Sequence, residues 1–515
     1  MKERKNIFGL SSTGIVILLG AIVKFVLHLY YAPEYGFFGD ELYTIALSRH
    51  LAFGYVDLPP LVPALVAMSR ALLGESLFAH HIFPALAGAA TLVFMGLITK
   101  EFGGKTFAVL LSVIGFIAVP FWLALDSIFC YDCFDQLVLA AFLYVLVRFL
   151  RSGNHRLWLL LGLIAGIACL TKMTILFLGP GFLVALIISK YRKDLLTPWP
   201  WLGAAICVLV VSPYLFWQVA NGWPTLEYWT NYSAIRMGDR PSILVFLIVV
   251  LVTAGPLLLP LWLAGLYRIF RRLDGVDYSF LGWMFVVTAV TLFLRNTKIT
   301  MLIELYMPLL AAGAVLVEEL ATRVRWGTWI RAGAVAYLLL AGIDAVLTGL
   351  PILPLDRIEA LARALGPLHP PYQEFGQTFY VSPVLSGKRG WEEFVQDVAD
   401  VYDELSPEDR AVAGIWADWY GPASAIDYLG PKYGLPHAVT GHLTYYLWGP
   451  GYSWEVMIIV SPAEYPIRSF FKECELKKVI DHPYVYVGSQ GVRVCRNPKI
   501  SADEIWSKLK LKAYR

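Results

Sequence analysis

Six acidic and three basic residues stand out from a chain that is otherwise short of charge. Asp40, Glu41 and Asp57 fall in the polar stretch 33–78. Asp126 closes an apolar run, and Asp132 and Asp135 lie one and two turns into the next. Lys172 stands at the top of a short apolar hairpin, and Arg295 and Lys298 lie between two further apolar runs. Ionisable groups at membrane depth are costly and by default functional. A carboxylate in a polar break can take a proton from a hydroxyl or amine. Lysine holds an anion as a point charge and arginine as a fork. Each residue also has an ordinary reading. Asp40 could cap a helix or join a salt bridge, and Glu41, adjacent, would point elsewhere, to a metal or a structural partner. Asp57 precedes Pro59 and Pro60, a rigid extended stretch whose shape it could hold. Asp132 and Asp135, at i and i+3, share one helix face; they could bind a substrate or a divalent cation, or pair with Lys172 or Arg295. Arg295 and Lys298 could snorkel at span ends. Tyr306 could line a lipid groove or be an ordinary interfacial tyrosine. His437 and His442 read as satisfied surface histidines.

The elements that must position these groups follow from composition. Of 515 residues 58% are hydrophobic and 16% charged, against about 25% charged in a soluble globular protein. The deficit is local: apolar runs of membrane length follow one another from Ile15 to Leu350, and Arg357 to Arg515 is ordinary soluble sequence. A membrane helix needs roughly 20 apolar residues. The runs 9–32, 79–99, 106–125, 128–149, 157–171, 174–189, 201–219, 242–267, 280–294, 301–317 and 329–350 predict eleven spans. Every second connection is basic: Lys2, Arg4 and Lys5; Lys100 and Lys105; Arg148, Arg151 and Arg156; Lys190, Arg192 and Lys193; Arg268, Arg271 and Arg272; Arg323, Arg325 and Arg331. By the positive-inside rule the N-terminus is cytoplasmic and the C-terminal domain extracytoplasmic. The first span contains Lys24 and His28 and leads into further spans, so it reads as a retained anchor rather than a signal peptide. The acids and bases singled out above then gather on the outer side. The net charge of +3 gives no reason to expect nucleic acid.

The expected fold is a polytopic α-helical membrane protein with a C-terminal soluble α/β domain: 1–350 in the membrane, with the outer loop 33–78, and 351–515 outside. In the soluble part 390–405 is an amphipathic helix, since Trp391, Phe394, Val395, Val398, Val401, Tyr402 and Leu405 share a face. A strand over 411–417, a helix over 421–429, a strand over 456–460, a helix over 463–474 and strands near 484–487 and 491–496 follow, an alternating pattern for a small layered domain. It has no phosphate loop, zinc spacing or nucleophile elbow, and a substrate-shaping lid is the expected role. Cys130, Cys133, Cys169 and Cys207 lie in apolar segments, where a thiol is a small hydrophobe. Cys474 and Cys495 could form a disulfide if their domain is extracytoplasmic.

The segment GDELYTIALSRHLAFGYVDLPPL, Gly39 to Leu61, resembles the first outer loop of the bacterial protein-mannosyltransferase-like glycosyltransferases, the GT-C group that includes the lipid A aminoarabinose transferase. The likeness continues through the Asp132–Asp135 helix, GIACLTKMTILFLGPG (166–181), LRNTKITMLIELYMPLLAAGAV (294–315) and YGPASAIDYLGPKYGLPHAVTGH (420–442). Two departures bear on the sugar and the acceptor: Leu58 stands where members commonly have His, and Lys298-Ile299-Thr300-Met301 where many have Lys-x-Tyr-Tyr. The resemblance implies a sugar joined through one phosphate to a polyprenol, passed with inversion to a lipid, glycan or protein acceptor on the outer face of a bacterial inner membrane. In that chemistry Asp40 is the base, with Glu41 the second catalytic candidate. Lys172, Arg295 and Lys298 would bind the donor phosphate, and Asp57, Asp132, Asp135 and Tyr306 the substrates. No cofactor is implied with certainty, a divalent cation remaining open. Three rival readings are a transporter, a ligase or polymerase using a diphosphate-linked glycan, and a receptor or assembly factor whose membrane part only anchors a partner-binding domain. A transporter would show internal repeats and a midplane site, and neither is evident.

Overall fold

The computed structural model describes residues 11–31, 34–236, 241–366, 369, 371–374, 377–462, 466–481 and 488–510. Its helices, in chain order, begin with α1 (Ser12–Tyr31), α2 (Gly39–Arg49), α3 (Leu61–Leu73), α4 (Leu77–Glu101), α5 (Thr106–Ile117) and α6 (Pro120–Leu125). There follow α7 (Tyr131–Ser152), α8 (Leu157–Thr171), α9 (Thr174–Ile188), α10 (Pro198–Ala220), α11 (Pro224–Arg236) and α12 (Ile243–Val252). Next come α13 (Leu259–Ile269), α14 (Ser279–Arg295), α15 (Tyr306–Arg323), α16 (Gly327–Gly349) and α17 (Leu355–Leu365). The chain forms two compact units, each discontinuous in sequence. The helical unit comprises Met1–Glu34, Phe78–Phe216 and Arg236–Ser382; the mixed unit comprises Tyr35–Leu77, Trp217–Ile235 and Pro383–Arg515.

Each of the eleven expected runs is helical over most of its described residues. Among the described residues, six helices are long and apolar enough to cross a membrane: α1, α4, α7, α10, α16, and α15 with the 3-10 turn Ile299–Leu305 before it. Two bent pairs raise the number to eight. One is α9 with the turn Lys190–Leu196, at 98°, and the other is α12 with Pro256–Ile269, at 77°. The second bend has a local cause: Gly255 adopts φ 103° and Pro256 follows it, a geometry open to glycine. The other three expected runs are shorter helices, α5, α8 and α14. Exposed Leu18, Leu19, Ile22, Val23 and Val26 on α1, and Leu339, Leu340 and Ile343 on α16, give these membrane-length helices apolar outer faces that suit lipid tails. The protein is therefore a multi-pass membrane protein. Where apolar helices pack in lipid, small residues let backbones approach. A Cβ on Gly265 of α13 would strike the Leu309 carbonyl of α15, and one on Gly313 the Leu261 carbonyl.

The mixed unit is built on a five-stranded sheet. Its helices, after α18 (Pro383–Ser386), are α19 (Trp391–Asp403), α20 (Pro407–Val412), α21 (Tyr420–Leu429) and α22 (Ala502–Lys508), together with α2, α3 and α11. Two short strands, β1 (Tyr372–Glu374) and β2 (Gln377–Phe379), form a separate hairpin in the helical unit. The sheet strands are β3 (Ala413–Ala417), β4 (Ala438–Val439), β5 (Val456–Ser461), β6 (Phe471–Ile480) and β7 (Gln490–Pro498), in the order β4-β3-β5-β7-β6. β4 and β5 run parallel to β3, and β7 and β6 complete the sheet antiparallel. β3 and β5 are buried along their whole length, as their unbroken apolar runs require. The expected helix over 463–474 is a correction: residues 466–470 form a 3-10 turn and 471–480 is the edge strand β6. Its Lys and Glu content favours a helix locally, but pairing with β7 overrides that preference, and charge on an exposed edge blocks further pairing. Cys474 lies directly opposite Cys495 in this ladder, and the two form a disulfide. The strand expected near 484–487 lies outside the described residues.

Candidate active site

Polar contacts in the mixed unit converge on the start of α2. Asp40 and Glu41 occupy its first turn, where the helix dipole favours negative charge. Glu41 is fully buried, and its carboxylate accepts from the Phe38 N–H at 2.7 Å, closing the helix start. Asp40 has a different partner: the Tyr420 hydroxyl donates to its Oδ1 at 2.8 Å. One turn further along α2, the Tyr43 hydroxyl donates to Asp57 Oδ1, also at 2.8 Å. The rings of Tyr43 and Tyr420 lie 4.5 Å apart. Burial pushes the Tyr43 phenol well up, so it stays a neutral donor, and burial pushes the Asp57 carboxyl up to about 7, Asp40 adding to the rise. The loop that carries Asp57 is pinned at several points. Val56 N–H donates to Thr444 Oγ1 at 3.0 Å, Thr444 N–H donates to the Tyr43 hydroxyl, and the Tyr55 hydroxyl donates to the carbonyls of Leu47 and His50.

The sheet explains how residues so distant in sequence reach α2. β3 ends at Ala417, and Asp418, Trp419 and Tyr420 follow, Tyr420 opening α21. The parallel strand β4 ends at Val439, three residues before His442. Both therefore leave the carboxyl edge of the parallel strands, the edge where ligands bind in open α/β sheets. His442 stacks on Tyr420 at 5.4 Å, and its Nδ1 accepts from the Tyr420 N–H at 3.4 Å. The surface reading of His442 is thus corrected: it is buried under a tyrosine. His437 is held by the Tyr452 hydroxyl at 3.0 Å.

In the helical unit a second polar cluster forms around Lys172, at the break between α8 and α9. Its ammonium meets Asp132 Oδ1 at 2.5 Å and lies 5.1 Å from the Tyr131 ring centroid. Asp135 and Glu304 are both buried and interact electrostatically with Lys172. Asp135 Oδ1 and Glu304 Oε2 have no hydrogen-bond partner. Arg295 and Lys298 are exposed, at the end of α14 and just before the 3-10 turn. Tyr306 is fully buried between Trp262 and Phe285, its hydroxyl donating to the Val250 carbonyl. A further ion pair, Lys24 to Asp126 at 2.7 Å, is fully buried. A Cβ on Gly88 would collide with the Asp126 carboxyl. Among the described residues, no group of three or more His, Cys, Asp and Glu is placed to hold a metal ion.

Sequence reasoning missed Tyr43, Tyr420 and Glu304. Glu304 carried a signal, as an acid inside an apolar run. Tyr43 and Tyr420 carried none that separates them from other tyrosines.

The architecture is the GT-C type of membrane fold. Two solved structures of ArnT from Cupriavidus metallidurans share it. The form bound to undecaprenyl phosphate has a TM-score of 0.57 and 15% identity, covering 93% of this chain and 97% of that one. The apo form has a TM-score of 0.57 and 14% identity, covering 94% and 98%. In sequence, residues 57–217 match the family described as dolichyl-phosphate-mannose-protein mannosyltransferase. The lipid A galacturonosyltransferase RgtD of Rhizobium johnstonii is 24% identical over 301 residues, which is 55% of this chain and 60% of that relative's length. The chain is thus similar to GT-C glycosyltransferases related to the lipid A transferases.

Proposed function

We propose that the protein is an inverting glycosyltransferase of the bacterial inner membrane, moving a sugar from a polyprenyl-phosphate donor to an acceptor on the extracytoplasmic face. The observation that carries the reading is the fold match to ArnT over nearly the whole chain, in a structure bound to undecaprenyl phosphate. Asp40 takes the proton from an acceptor hydroxyl or amine. The freed lone pair attacks the anomeric carbon, the bond from that carbon to the phosphate oxygen breaks, and polyprenyl phosphate leaves with the electron pair. A monophosphate is a good leaving group, so positive charge near it suffices without a dedicated acid. Lys172, Arg295 and Lys298 supply that charge, Lys172 exchanging Asp132 for phosphate oxygen. A lipid acceptor is favoured by the similarity to a lipid A galacturonosyltransferase. The extracytoplasmic placement of the C-terminal domain is supported by the alternation of basic connections. It is supported also by the Cys474–Cys495 disulfide, which suits an oxidising compartment.

The test is transfer by purified protein in lipid bilayers, offered a panel of radiolabelled polyprenyl-phosphate sugars with extracted membrane lipid as acceptor. One donor is consumed by the wild type. In Asp40→Asn transfer falls roughly a hundred- to ten-thousand-fold while the protein stays folded in the membrane. Silence across the panel from folded protein would overturn the monophosphate donor, and full activity in Asp40→Asn would remove Asp40 as base. Lys172→Ala weakens donor binding; unchanged donor affinity would assign that lysine to holding Asp132 and Asp135.

A further inference from the structure

We infer that Tyr420 is a positioning residue for Asp40, so that the C-terminal α/β fold belongs to the catalytic apparatus and does more than cover it. The inference rests on the reading of Asp40 as base. The contact itself is direct, from the phenol hydroxyl to Asp40 Oδ1 at 2.8 Å across 380 residues of sequence.

The tyrosine is held on several sides. It opens α21 directly after the buried strand β3. Its ring packs on Tyr43 at 4.5 Å, Trp419 at 4.9 Å and the buried His442 at 5.4 Å, and its N–H is bound by His442. A side chain locked by packing and by a second layer of hydrogen bonds can hold a reacting group in place. Its hydroxyl fixes the rotation of the Asp40 carboxyl, whose backbone is already set by the first turn of α2. Donation to the ionised carboxylate also favours that form, the one that can accept the acceptor's proton.

The two tyrosines thus divide the labour. Tyr43 holds Asp57, and Tyr420 holds Asp40. Asp40 acts on Asp57 by charge, Tyr43 is the neutral donor to Asp57, and Tyr228 of α11 is raised by burial first and in part by both carboxylates. Glu41, next in the chain, is turned to the Phe38 N–H. His442 faces Tyr420 from the segment that follows β4.

Tyr420→Phe removes the hydroxyl and keeps the ring. The expected result is a tenfold to hundredfold fall in kcat, the loss of one hydrogen bond to a charged group, with KM for the donor unchanged. Because the lost donor favoured the ionised carboxylate, the acid limb of the kcat/KM profile moves to higher pH. A fluorinated tyrosine at position 420, whose more acidic hydroxyl donates more strongly, moves that limb to lower pH, an effect no packing role produces. Wild-type kcat and an unmoved acid limb in Tyr420→Phe, with Asp40→Asn inactive, would overturn the positioning role and leave the base intact. Full activity in Asp40→Asn would overturn both. Should Tyr420→Phe fail to fold, the fluorinated protein decides alone: an unmoved limb refutes the role.

Discussion

Asp418 shows what burial does to a single carboxyl. It follows β3, is almost wholly enclosed, and has one oxygen without a hydrogen-bond partner. Burial pushes its carboxyl up to about 7, against the opposing pull of the Asp418 and Trp419 N–H groups. A carboxyl raised in the folded state binds its proton more tightly there than in the unfolded chain. Its contribution to stability is therefore lost as pH rises from about 4 through 7. Asp57, also raised to about 7, acts with the same sign. Thermal unfolding of the mixed unit, followed by tryptophan fluorescence, should show a lower midpoint at pH 8 than at pH 5.5. Asp418→Asn should flatten that dependence, gaining up to about 4 kcal/mol at pH 8 and nothing below pH 4. A midpoint that rises towards pH 8 would contradict this. At this scale the sequence was half legible. Asp40 and Asp57 were visible because each sits in a polar break among apolar runs that are short of charge. Tyr420 is one of 28 tyrosines, and only the sheet brings it to Asp40.

Helices were easier to read than strands, for a physical reason. An apolar run of membrane length admits few structures but a helix, and every such run proved helical over most of its described residues. The stretch 463–474 reads as helix, yet from Phe471 onward its neighbour β7 decides its state. Span lengths were less legible, because breaks such as Gly255–Pro256 divide one apolar run into two helices. Within the helical unit, α1 is tied to the segment after α6 by Lys24 and Asp126, both fully buried, with the Lys24 ammonium 5.1 Å from the Phe116 ring centroid. Removing one partner of a buried pair leaves an uncompensated charge, at a cost of about 3–5 kcal/mol. Lys24→Met should therefore lower the unfolding temperature in detergent and the amount of protein in the membrane, and adding Asp126→Asn should recover most of the loss. If the double variant is no better than the single one, the pair is not what joins these elements.

At the scale of the whole molecule, the disulfide between β6 and β7 closes a segment of 21 residues, worth about 3 kcal/mol by loop entropy. Replacing both Cys474 and Cys495 by Ser should lower the stability of the mixed unit by that order, measured by denaturant unfolding, without altering the acid limb of transfer. The interleaving of the two units has a consequence for biosynthesis. The segment Tyr35–Leu77 shares a unit with Pro383–Arg515, and Asp40 meets its tyrosine across 380 residues. Translation at about 5–20 residues per second separates their emergence from the ribosome by roughly 20–75 s. During that interval α2 exists without the partner that holds it, while the intervening helices are inserted one after another. The nascent chain is thus membrane-integrated before its last domain arrives, and a ribosome that stalls late leaves Asp40 without the Tyr420 hydroxyl that holds it.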